Sequence, residues 1–139
     1  MDLNRDPQTI AYAAAEEIRA LNHRTQQVSA FDGDHGFRGA APANLSGTVQ
    51  GLITLTDRLP QALQQLRRGL QQLEEQQTIR MTDGTKPEDA VSTALRGLLN
   101  AEEAVKAANH ALRAAGAPMA AMGGYLDEVE EDQGDDAVV

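Results

Sequence analysis

Apolar residues recur through the middle of this chain at alternating steps of four and three. The first run is Leu45, Val49, Leu52, Thr56, Leu59, Leu63, Leu66, Leu70 and Leu73. The second is Val91, Ala94, Leu98, Ala101, Val105, Ala108, Leu112 and Ala115. A seven-residue repeat keeps one stripe of an α-helix turned toward a partner helix, because 3.5 residues is close to one helical turn. Strands need a period of two, so the pattern rules out a sheet for this part of the chain. The expected fold is all-α: an antiparallel, heptad-patterned hairpin of helices at about 44–80 and 86–115. A shorter helix at about 7–26 completes a small three-helix bundle.

The 139 residues fit one domain, expected over 1–126, followed by an acidic, disordered tail over 127–139. With two Phe, two Tyr and no Trp, any core must be aliphatic. Cysteine is absent, which removes disulfides, thiolate metal sites and thiol catalysis from consideration. The formal net charge is −9. The tail carries seven carboxylates: Asp127, Glu128, Glu130, Glu131, Asp132, Asp135 and Asp136. The rest of the chain is therefore near neutral. An acidic chain with only two lysines is a poor match for a phosphate backbone, so nucleic acid is not the expected partner. No apolar run approaches the roughly 20 residues of a membrane span, and the N-terminus lacks the pattern of a signal peptide. The expectation is a cytoplasmic protein.

Local signals set the boundaries. Asp6 followed by Pro7 is a helix start: the carboxylate caps free N–H groups, and proline fits the first turn. Ile10, Ala14, Ile18 and Leu21 form one apolar face. Gly33, Gly36, Gly39 and Pro42 mark a long loop over about 28–43, which holds both phenylalanines, Phe31 and Phe37. Asn44 is the expected cap of the second helix. Pro60 interrupts its hydrogen bonding but leaves the apolar register unshifted, so a kink is favoured over two helices, the second capped by Asp57. Thr82-Asp83-Gly84 reads as a turn, and Thr85 with Glu88 as a capping box.

Chemistry-bearing patterns are sparse. His23, His35 and His110 fall at no metal-binding spacing. Asp32-Gly33-Asp34-His35-Gly36 has the flavour of a calcium loop, but its glycine comes one place early and the closing glutamate is missing. Glu16-Glu17, Glu74-Glu75 and Glu102-Glu103 are adjacent on helices and point about 100° apart, which reads as solvated faces. No catalytic residue, cofactor or metal is expected.

Tyr12 and Glu16 form a Tyr-x-x-x-Glu pattern similar to the export signal of small helical hairpins secreted by type VII systems. Here it precedes the hairpin, and the tryptophan turn of those proteins has no counterpart. The segment from Arg58 to Leu66, Met81-Thr82-Asp83-Gly84 and Met122-Gly123-Gly124-Tyr125 resembles small, all-helical actinobacterial proteins. That resemblance implies a helical fold and an actinobacterial origin, and carries no activity.

The function expected is that of a non-enzymatic helical interaction or assembly protein, either binding another protein or self-associating. The alternative is an acidic-tailed regulator linked to nucleic acid or to a basic nucleic-acid-binding partner. Apolar residues expected beside the seam, Ile53, Leu55, Leu95 and Leu99, are the candidate partner-binding residues, together with Phe31 and Phe37.

Overall fold

The computed structural model describes residues 1–33 and 38–124. It contains three α-helices: α1 (Pro7–Arg24), α2 (Ala41–Glu75) and α3 (Pro87–Met119). Among the described residues there is no strand. Short 3₁₀ turns, Val28–Phe31 and Arg38–Ala40, lie between α1 and α2. The contacts divide the chain into two compact units. One holds the described residues up to Leu45 with residues 122–124, and the other is Ser46–Ala121.

In the first unit, α1 starts as the sequence predicts. The Thr9 N–H donates to Asp6 Oδ1 at 3.0 Å, and the Thr9 hydroxyl donates to Oδ2 at 2.6 Å. These bonds hold the Asp6 carboxyl below its ordinary range. Ala13, Ile18 and Leu21 are half-buried, Ile10 stays exposed, and no residue of α1 is fully buried. Asn44 does not cap α2, which begins three residues earlier with Pro42 in its first turn. Its side-chain amide donates instead to the Phe31 carbonyl at 2.6 Å.

The second unit is the helical hairpin. Helix α2 runs unbroken through Pro60, so the split at Asp57 does not occur. It ends at Glu75, short of the expected residue 80. The Thr78 N–H reaches the Leu73 carbonyl and the Gln77 N–H the Glu74 carbonyl, while Gln77 adopts φ 56°. That pair of bonds around a left-handed residue is a Schellman C-cap, with glutamine where glycine is usual.

The connection turns through Gly84, whose φ of 80° suits a residue without Cβ. The expected capping box does not form. Asp83 Oδ1 takes both the N–H and the hydroxyl of Thr85, and Lys86 stands at the cap position with no side-chain bond. Pro87 opens α3 at the first helical position and biases Lys86 to extended backbone. Glu88 and Asp89 complement the positive end of the helix dipole.

Helices α2 and α3 pack on a seam with a seven-residue repeat, rolled from the expected one. In α2 the inward positions are Val49, Ile53, Thr56, Pro60, Leu63, Arg67, Leu70 and Glu74, all buried or half-buried. In α3 they are Val91, Leu95, Leu98, Glu102, Val105, Asn109, Leu112, Gly116 and Met119. The series through Val49 and the series through Val91 are as the sequence predicts. The second position of each repeat has moved on by one residue. Ile53, Pro60, Arg67 and Glu74 take the place of leucines 52, 59, 66 and 73. Leu95, Glu102, Asn109 and Gly116 take the place of alanines 94, 101, 108 and 115.

Candidate protein-interaction face

The rolled seam carries polar groups in layers. Glu102 is only 2% exposed and sits between the helices. It accepts from Gln64 Nε2 at 2.6 Å and from Arg67 at 2.8 Å, and pairs with Lys106 Nζ at 3.1 Å. The bond from Gln64, then that from Lys106, together with the charges of Lys106 and Arg67, outweighs desolvation and holds the carboxyl below the usual glutamate range. The same contact raises Lys106 above its ordinary value. Two turns further along α3, the Asn109 amide donates to the Ile53 carbonyl (3.2 Å), Thr56 Oγ1 (2.9 Å) and Asp57 Oδ1 (2.9 Å). Arg113 closes the group onto Asp57 and lowers its pKa, with help from Asn109. Gly116 completes the seam. A Cβ there would lie 3.2 Å from both Gln50 Nε2 and Ile53 Cδ1, so glycine permits the close approach of α3 to α2.

These polar partners lie along one edge of the hairpin. Gln50, Asp57, Gln64 and Gln71 recur every seven residues on α2, and Leu99, Lys106 and Arg113 on α3. The opposite edge is different in kind. Leucines 52, 59, 66 and 73 stand three residues beyond Val49, Thr56, Leu63 and Leu70. Alanines 94, 101, 108 and 115 stand three beyond Val91, Leu98, Val105 and Leu112. Three residues forward turns back around the helix axis by the same angle in the same sense on both helices. Because the helices are antiparallel, equal turns bring both stripes to the same side of the hairpin. The next positions outward hold Leu55, Ala62, Gly97, Ala104 and Ala111. No position of this edge between residues 48 and 73, or between 90 and 115, carries a charged side chain.

Much of it faces outward. Leu59 is 37%, Leu66 58% and Leu73 46% exposed. Scattered exposed leucines are ordinary on protein surfaces, but a continuous uncharged stripe on two adjacent helices is a candidate interaction surface.

The residues singled out from sequence fall in different places. Ile53, expected beside the seam, is 4% exposed within it, and half-buried Leu95 also lies in it. The roll of the seam draws both inward, and an aspartate at Leu95 would unfold the hairpin rather than report on a surface. Leu55 is half-buried on the uncharged edge. Leu99 is exposed on the polar edge, in line with Lys106 and Arg113. Phe31 is half-buried in the first 3₁₀ turn, and Phe37 lies outside the described residues, as do Asp34, His35 and the acidic tail. Sequence reasoning missed Leu59, Leu66 and Leu73 as surface residues because they match the inward stripe in spacing and type. The discriminating signal is the uncharged outward margin at Leu55, Ala62, Ala104 and Ala111, a place where a solvated helix carries charge.

Among the described residues no group of three histidines or carboxylates could hold a metal, and no helix is long and apolar enough to cross a membrane. Two of the arginines are engaged in ion pairs: Arg67 turns inward onto Glu102, and Arg19 pairs with Glu16. No protein-family model matches the chain, and no curated protein or solved structure matches it.

Proposed function

We propose that this chain is a non-enzymatic helical interaction or assembly protein, and that the uncharged leucine–alanine edge of the hairpin is its binding face. The observation that carries this reading is the exposure of Leu59, Leu66 and Leu73 in one line, on an edge without a charge. Among the described residues of the hairpin, only Ile53 and Val91 are fully buried apolar side chains. A two-helix unit with so small an interior gains from covering its remaining apolar surface with another protein.

The test is affinity capture with the full chain as bait, comparing wild type with Leu66→Asp/Leu73→Asp. Proteins bound by the wild type, including untagged copies of the chain itself, should be lost from the double variant while its helical circular dichroism persists. Identical captured sets for both baits would reject this face.

A further inference from the structure

We infer that the occupant of this face is a second copy of the same hairpin, related by a two-fold axis parallel to the helices, so that four helices form an antiparallel bundle. The inference rests on the binding face proposed above and names its partner.

Shape comes first. One half of the face is a ridge of leucines on α2, and the other half is a shallow strip of alanines on α3. The cross-seam contacts Arg67–Glu102 and Gly116–Ile53 set the register of the two helices. In that register Leu66 stands level with Ala101, to within about two residues at 1.5 Å each. Leu59 is likewise level with Ala108, and Leu73 with Ala94. A two-fold axis along the hairpin swaps left and right but leaves heights unchanged. It lays the leucine ridge of each copy over the alanine strip of the other, with α2 antiparallel to the partner's α3. Large against small at matched height is the condition for close helix packing, and it is met here twice by symmetry.

Size agrees. Helices α2 and α3 run side by side for roughly 40 Å at 1.5 Å per residue. Two helices about 10 Å apart present a face about 20 Å wide. The product, about 800 Å² per copy, is what a stable protein–protein interface buries on each partner. Helix α1, with 18 residues, is about 27 Å long and too short to cover such a face by itself. Charge agrees as well, because a face without charges meets its own copy without repulsion or unpaired ions.

The native chain has no cysteine, so single cysteines report geometry cleanly. Full-length Leu66→Cys and Ala101→Cys chains are mixed and mildly oxidised with copper phenanthroline. Light scattering is measured on the wild type, Leu66→Asp and Leu99→Asp. The expected result is a wild-type mass of twice the 14.9 kDa chain. Leu99→Asp, on the polar edge, should keep that mass, and Leu66→Asp should fall to a single chain with its helical signal intact. Disulfide dimers should form in the mixture of the two cysteine chains at least tenfold faster than with either chain alone, because Cα atoms more than about 7 Å apart cannot be bridged.

A wild type that stays monomeric at 100 µM overturns the inference. So does Leu66→Cys cross-linking to itself as fast as to Ala101→Cys, which would place leucine ridge on leucine ridge. A monomer leaves the binding-face reading standing or falling on the capture experiment, so the two failures are distinguishable.

Discussion

At the scale of single residues, the hairpin depends on a few side chains whose neighbours define their cost. Ile53 is nearly fully buried and touches the space that Gly116 leaves open. Ile53→Ala should destabilise the fold by about 2–5 kcal/mol, measured by urea unfolding. Gln77 pays for its left-handed backbone at the C-cap of α2. Gln77→Gly should stabilise by about 1 kcal/mol, seen as a higher melting temperature. Glu102 sets a pH dependence. Its carboxyl lies below the ordinary value of 4.5 in the folded state, so in the acid range the unfolded chain binds more protons. The stability it contributes is complete above the unfolded value and is lost as pH falls through the folded one. Glu102→Gln should therefore flatten the acid limb of stability against pH below about 4.5, and chemical denaturation at stepped pH checks this. Lys106 has the opposite sign: its raised value adds stability below about 10.5 that disappears only in strong base.

At the scale of elements, the helices were legible and their facing was not. The seven-residue spacing, Asp6 before Pro7, and the turn at Gly84 all correspond to elements of the structure, because they rest on local backbone chemistry. Boundaries moved where two local signals competed. Asp83 captured Thr85 ahead of the capping box, and the Schellman turn at Gln77 stopped α2 early. The roll of the seam escaped because two adjacent stripes both repeat every seven residues. Leucines 52, 59, 66 and 73 make the more hydrophobic choice, yet the chain buries Arg67 and Glu102 as a hydrogen-bonded pair instead. Hydrophobicity alone ranks the stripes wrongly when a buried carboxylate such as Glu102 finds partners, even though Arg67 Nε is left buried without one. The reward for rolling is close packing: Gly116 lets α3 approach α2, and Asn109 bonds the Ile53 carbonyl, two turns before Pro60. Gly116→Leu should push the helices apart and lower the melting temperature. Gly116→Ala should cost less, because the Gln50 amide can swing aside and only the packed Ile53 Cδ1 must give by a few tenths of an ångström.

At the scale of the molecule, the roll converts one hairpin into a two-sided object. One edge is sealed by ion pairs and an amide hydrogen bond through Asp57, Gln64, Lys106 and Arg113. The other presents leucines and alanines with no charge. Had the leucines faced inward, the polar residues would lie outside and little apolar surface would remain for a partner. The functional proposal therefore depends on which of two neighbouring leucines, Leu63 or Leu66, points into the hairpin. The most direct measurement is a circular dichroism melt of Leu63→Asp beside Leu66→Asp, full-length chains at equal, low concentration. Both changes carry the same helix-propensity cost, so the difference reports burial alone. A cooperative helical melt for Leu66→Asp, with loss of that melt for Leu63→Asp, is the predicted result. If Leu66→Asp melts no higher than Leu63→Asp, the leucine stripe lies inside the hairpin and the proposed face does not exist.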